Sequence, residues 1–354
     1  MYNYPLAVHC RRKFIRRCIE KIHGGAAVRC ESRMESSMES RMESSMKVLV
    51  FGEVLWDIFP TQKEIGGAPF NFSAHMAKLG AEVFLVSAVG KDALGEETLA
   101  AAAAAGLHTD YIAKTEAPTS VCNVSVDQRG IPSYMLPPDI SFDFISADKA
   151  CADLKHCTYD AFYMGTLAQR SPVSRASLAA LLKNISKFKE IFCDINIRQH
   201  FYSRELVAQC LRQATILKIS KEEYGVFARL GMLPDASAPT EEQAFESDYT
   251  VRLCAHLSRT YEIKLIIVTL NKDGAMLYQR DGTILYSDRP TSAVRSTVGA
   301  GDSFSACFLY NYLNGAALSD CLNRAVILSD YVVTQLGAVP AYPQKLLEQI
   351  GGRC

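Results

Sequence analysis

From Lys47 onward, short apolar runs alternate with stretches whose apolar residues recur at helical spacing. The runs at 48–52, 83–88, 160–164, 191–195, 215–219 and 264–269 are each followed by turn residues and predict strands. Between them, 69–79, 93–106, 172–186, 203–213, 221–230 and 241–260 predict helices. The alanine run at 100–105 is a strong helix former and carries no chemistry. Strand and helix in alternation predict an α/β fold, a mostly parallel central sheet covered on both faces. Two segments break the rhythm. Residues 56–66 leave the first strand, and 119–136 read as a hairpin with arms at 121–126 and 133–136 around Asp127-Gln128-Arg129-Gly130. These excursions predict a small β lid over the main sheet, a device that excludes water from a reacting group.

Before Lys47 the pattern is absent. Residues 1–30 are basic, with Arg11, Arg12, Lys13, Arg16, Arg17, Lys21 and Arg29 against the single acid Glu20. Residues 31–46 repeat Glu-Ser-Arg-Met-Glu-Ser-Ser-Met twice, a low-complexity tract that cannot bury a core and predicts disorder. An Arg-rich, acid-poor start also suits an organellar transit peptide. Met46 directly before an apolar first strand favours the simpler reading, in which 1–46 is a dispensable extension and 47–350 the folded domain.

Composition narrows the class. The 354 residues suffice for one large α/β domain or a core with a small appendage. Apolar content of 49% with 21% charged residues is that of an ordinary globular protein, and a formal net charge of zero draws it to neither nucleic acid nor anionic membrane. No run approaches the roughly 18 apolar residues of a membrane span. Twelve scattered cysteines with no C-x-x-C pair predict reduced, mostly buried thiols, a reducing compartment and hence a cytoplasmic protein.

The candidate chemistry centres on Ser296-Thr297-Val298-Gly299-Ala300-Gly301-Asp302-Ser303-Phe304. Small residues allow close backbone approach to a ligand, and the helix predicted to follow presents free N–H groups to an anion. Phe304 with Phe308, and Leu309 with Leu313, predict an apolar stripe on that helix. Asp302 would stand at the mouth of the anion site, where a base is needed; a Gly-rich turn capped by Asp is the plainer alternative. Gly66-Gly67-Ala68-Pro69-x-Asn71 opens another helix, with Asn71 offering both donor and acceptor to a hydroxyl. Asp194-Ile195-Asn196-Ile197-Arg198 alternates polar residues at the end of an apolar strand, and period two predicts all three on one face. Ser220-Lys221-Glu222-Glu223 suits a capping box, and Thr269-Leu270-Asn271-Lys272-Asp273-Gly274 a hairpin turn. No G-x-G-x-x-G follows the first strand, where Gly52-Glu53-Val54 stands instead, so a dinucleotide-dependent oxidoreductase is excluded.

In this order, GGAP-x-N, D-x-N-x-R, S-x-x-E, T-L-x-x-x-G and T-V-G-A-G-D-S-F resemble the ribokinase-like (PfkB) family of carbohydrate kinases over about 47–345. Met164-Gly165-Thr166-Leu167-Ala168-Gln169-Arg170 and the run 194–198 resemble its fructokinase branch. The resemblance implies a ribokinase-like three-layer sandwich with a β lid at about 56–66 and 119–136, and transfer of phosphate from ATP, with Mg2+, to a sugar hydroxyl. It implies Asp302 as general base, ionised at its ordinary pKa of about 3.9, and the amides of Gly299, Ala300 and Gly301 as anion hole. Asp57, Gly66, Gly67 and Asn71 match sugar contacts, while Arg170, Asn196 and Arg198 are placed to reach the sugar's far side or the phosphates. Ser220, Glu223, Thr269, Asn271 and Gly274 match the nucleotide cleft, with Glu223 organising Mg2+ through water. The family's lid sheets often pair, which leaves a homodimer open.

Three departures stand out. Ser296 occupies the position of an aspartate that helps hold a monovalent cation, so weak or absent K+ activation is expected. Ser220 replaces an asparagine, and Val326 falls near the adenine pocket where an asparagine is common. The resemblance favours fructose as substrate, with 2-keto-3-deoxygluconate or a ribosyl compound as alternatives and a catalytically silent binding protein as the outlier.

Overall fold

The computed structural model describes residues 46–126, 132–185, 187–232 and 247–352. The expected extension before Met46 and the hairpin turn at 127–130 lie outside the described residues. In chain order the elements are β1 (Lys47–Phe51), β2 (Leu55–Ile58), β3 (Lys63–Gly66), α1 (Ala68–Leu79), β4 (Glu82–Gly90), α2 (Ala93–Ala104), β5 (Ile112–Thr115), β6 (Val121–Val126) and β7 (Pro132–Met135). There follow α3 (Asp148–Leu154), β8 (Tyr159–Gly165), α4 (Pro172–Asn184), β9 (Phe188–Asp194), α5 (Arg204–Gln213), β10 (Ile216–Ser220), α6 (Tyr224–Arg229) and α7 (Ser247–Tyr261). The chain closes with β11 (Leu265–Thr269), β12 (Ala275–Gln279), β13 (Ile284–Tyr286), α8 (Ala300–Leu313), α9 (Leu318–Val332) and α10 (Gln344–Ile350).

A nine-stranded sheet runs in the order β13-β12-β11-β10-β9-β8-β1-β4-β5. From β11 to β5 every pairing is parallel, and β12 and β13 add an antiparallel edge. Both faces are buried, which is why the strands read as continuous apolar runs. Within β1, Val48 and Val50 enter one core with α1, α8 and α9, whereas Leu49 and Phe51 enter the other with α4, α5 and α7. The two segments that break the alternation form a second, four-stranded sheet, β3-β2-β6-β7.

The structure corrects several expectations. Helix α8 was expected to carry an apolar stripe, yet Ser303 through Asn311 are buried all round, because α8 packs against both α1 and α9. Strand β9 ends at Asp194 rather than continuing through 198, since Asn196 and Gln199 adopt φ of 40° and 49°, which no strand accommodates. The single helix expected at 221–230 divides into a 3-10 turn, Lys221–Glu223, and α6. Strands β5, β12 and β13 were not anticipated: all are edge-proximal and short, so their sequences carry little periodic signal. The described cysteines are free thiols, all buried except the half-buried Cys151 and Cys157.

Candidate functional site

The carboxyl ends of β1, β9, β10 and β11 open onto one cleft of about 1320 Å3. This is the end of a parallel sheet where α/β ligand sites form, and the volume exceeds the roughly 300–1,000 Å3 of a single small-molecule pocket. One end lies under the small sheet, lined by Asp57, Cys122 and Tyr134; the other reaches Pro290, Val326 and Val333. Asp302 lines the same cleft.

The first turn of α8 sets the position of Asp302. Gly299, just before the helix, has φ of 79°, and a Cβ there would come within 2.4 Å of the Ala338 carbonyl oxygen. Only glycine accommodates both the left-handed backbone and that contact. The turn leaves the amides at 299–301 at a helix N-terminus, where the dipole favours an anion, although the Ala300 N–H also reaches the Thr297 carbonyl at 3.3 Å. Asn71, brought across by α1, donates to Oδ2 of Asp302 at 2.8 Å. Burial pushes the Asp302 carboxyl up to about 6; Asp194 adds to the rise, while Asn71, Lys218 and Arg198 oppose it. The expectation of an ordinary carboxylate is thereby corrected: its low-dielectric surroundings disfavour the charged form.

Sequence reasoning missed Lys218. It stands opposite Asp194 in the β9–β10 register, with Nζ 2.9 and 3.0 Å from the two carboxylate oxygens. The Ser305 hydroxyl donates to Asp194 from α8 at 3.3 Å. Nζ also lies 3.2 Å from where a Cβ on Gly301 would sit, so the ammonium adjoins the amide cradle and lines the cleft. Burial would lower the Lys218 pKa, but Asp194, Glu223 and Asp302 together raise it and keep the ammonium charged. The available signal was a lysine inside the apolar strand Ile216-Leu217-Lys218-Ile219, beside a strand that ends in Asp194.

Glu223 accepts the Ser220 amide on Oε2 and the Ile197 amide on Oε1, each at 2.7 Å. The turn forms the expected capping box, and the second carboxylate oxygen ties the β10 end to the β9 exit. Burial raises the Glu223 pKa, with Lys218 and the two amides opposing. A carboxylate already holding two amides suits contact with Mg2+ through water rather than direct ligation. Among the described residues no three His, Cys, Asp or Glu side chains converge on a metal site.

The cleft brings together Asp57, Gly67, Asn71, Asn196 and Arg198 with Ser220, Glu223, Thr269, Asn271, Gly274, Gly299, Ala300, Gly301 and Asp302. Asn196 and Arg198 reach it from an irregular turn, not from a shared strand face. Gly66 lies behind it in β3, paired with Leu55, and a Cβ there would come within 3.3 Å of Asp57 Oδ2. Arg170 is not in the cleft lining. Its Nε and Nη2 each meet Asp143 at 2.7 Å, Nη2 also meets the Pro137 carbonyl at 2.6 Å, and Phe142 and Phe201 sandwich the guanidinium. A glutamate on the cleft wall, Glu53, also escaped the sequence reading: as a polar residue after a buried strand it passes for the start of a turn.

A carboxylate beside an amide cradle, with a buried ammonium facing both, defines a class of protein that transfers a phosphoryl group to an alcohol. The chain belongs to the pfkB family of carbohydrate kinases, whose family model matches residues 42–345. A fructokinase of Escherichia coli is 26% identical over 317 residues, covering 84% of this chain and 96% of the relative. The fold is shared with a fructokinase from Xylella fastidiosa solved with bound ATP, at a TM-score of 0.71 and 20% identity over 86% of this chain and 97% of that one. It is shared equally with a 2-dehydro-3-deoxygluconokinase from Thermotoga maritima, at a TM-score of 0.71 and 18% identity over 87% and 98%.

Proposed function

We propose that the chain is an ATP-dependent fructokinase that converts fructose to fructose 6-phosphate, with 47–350 as one catalytic domain and β3-β2-β6-β7 as its lid. The reading rests above all on Asp302, buried beside the amide cradle and oriented by Asn71. The sugar lies under the small sheet against Asp57, Gly67, Asn71, Asn196 and Arg198, with one hydroxyl at Asp302. The Oδ1 atom of Asn71 is buried without a partner and can accept from a hydroxyl of that sugar. ATP occupies the other end, along Ser220, Thr269, Asn271 and Gly274. Glu223 would hold Mg2+ through water, and the ion would neutralise charge on the phosphates.

Asp302 takes the proton of the attacking hydroxyl as the new P–O bond forms and the bond from the γ-phosphorus to the bridging oxygen breaks, with ADP as the leaving group. The Gly299, Ala300 and Gly301 amides and the Lys218 ammonium accept the charge on the migrating phosphoryl group. A neutral ketose is favoured over a sugar acid because Arg170 is committed to Asp143, which leaves Arg198 as the arginine of the cleft lining. A panel of fructose, glucose, ribose and 2-keto-3-deoxygluconate in a coupled ADP-release assay tests the substrate. Fructose should give the highest kcat/KM; a higher value for the acid would replace the reading. Asp302→Asn should lose about a hundredfold or more in kcat while retaining ATP binding, and a variant that keeps its activity would overturn the assignment of the base.

A further inference from the structure

We propose that Glu53 is a positioning residue for this reaction: it seats the start of α1 on the end of β1, and with it the Asn71 amide on Asp302, and its charge is coupled to that of Asp302 across the cleft. The inference rests on Asp302 being the base.

Glu53 is only 3% exposed, yet lines the cleft. The turn that carries it touches α1 as closely as atoms allow. A Cβ on Gly67 would come within 2.7 Å of the Glu53 carbonyl oxygen, and one on Gly52 within 2.3 Å of Pro69 Cγ. Helix α1 begins after a glycine and has no side-chain cap of its own. The Glu53 carboxyl lies near its first amide, that of Ala68, which favours the ionised form against burial. One turn on, the Asn71 amide donates to the Gly67 carbonyl at 2.9 Å and its side chain to Asp302 at 2.8 Å. A shift at Glu53 therefore passes through a single helical turn to the base.

Charge couples the same two residues. Glu53 is faced by Arg198 from the turn after β9, by Asp302 from α8 and by the buried phenol of Tyr163 from β8. Asp302 is faced by Asn71, Asp194, Lys218 and Arg198. Burial pushes the Glu53 carboxyl up to about 7, opposed by its own amide, Arg198 and Ala68 and reinforced by Asp302. Asp302, at about 6, loses its proton first, so the pair deprotonates in two steps. When Glu53 ionises, it places a second negative charge near Asp302 and makes it a stronger base.

The test is kcat/KM against pH for the full chain and for Glu53→Gln, Glu53→Ala and Asp302→Asn, with a thermal melt of each. In the wild type the acid limb should spread over two ionisations. Glu53→Gln keeps the shape without the charge, so it should show a single ionisation and a maximal kcat several-fold lower. Glu53→Ala should lose about tenfold or more in kcat with KM for ATP within about twofold, the signature of lost positioning. A Glu53→Gln profile that superimposes on the wild type, while Asp302→Asn is inactive, overturns the role of Glu53 alone. Should Glu53→Ala fail to fold, the Glu53→Gln profile still decides. An active Asp302→Asn would instead remove the base on which the inference stands.

Discussion

The basicity of Asp302 comes from where the residue stands rather than from what it is. An exposed aspartate is already ionised far below neutral pH and is a weak base. Burial brings this one to about 6, within reach of neutral pH, and the Asn71 hydrogen bond limits the rise. The base must be ionised to accept a proton, so kcat/KM should fall as pH drops through about 6; a pH–rate profile flat down to pH 5 would contradict the assignment. Lys218 is subject to the opposite balance. Its ammonium survives burial because Asp194 lies within hydrogen-bond distance, and removing one member of such a pair typically costs about 3–5 kcal/mol. Asp302, Asn71 and Glu223 are legible in the sequence because small residues and a helix start mark their positions. Lys218 and Glu53 are not, because their partners lie on other elements of the fold.

Helix α8 joins the site to the core. Its N-terminal turn supplies the amide cradle, and the rest of the helix is buried between α1 and α9, so the cradle is fixed by the whole interior. The strain falls on Gly299. Its φ of 79° disfavours any side chain by roughly 1–2 kcal/mol, and a Cβ would also strike Ala338. Gly299→Ala should therefore lower the melting temperature and reduce kcat more than it changes KM for the sugar, measured by thermal melt and steady-state kinetics. Unchanged kcat would show that the cradle does not hold the phosphoryl group. At this scale the sequence located most elements, since strands buried on both faces and amphipathic helices such as α5 leave clear patterns. It misjudged the end of β9, because alternation of polar residues looks the same whether the backbone stays extended or turns at Asn196.

Across the whole molecule, the cleft-lining residues run from Glu53 to Val333, all after the start of β1, and the family match begins at residue 42. A chain starting at Met46 should keep full kcat and the melting temperature of the long form; an inactive or insoluble product would show that the first 45 residues contribute to the fold or the site. Among the described residues no helix is long and apolar enough to cross a membrane. The sequence by itself determined the alternating α/β architecture, the small second sheet and the helix starts that hold Asp302 and Asn71, because these follow from local periodicity and backbone sterics. Only the tertiary structure decided that the Asp302 carboxyl is buried with a raised pKa, that Lys218 adjoins the 299–301 turn, that Glu53 is buried on the cleft wall and that Arg170 is paired with Asp143. Each of these depends on burial and on distances between residues remote in the chain, and no local pattern encodes them.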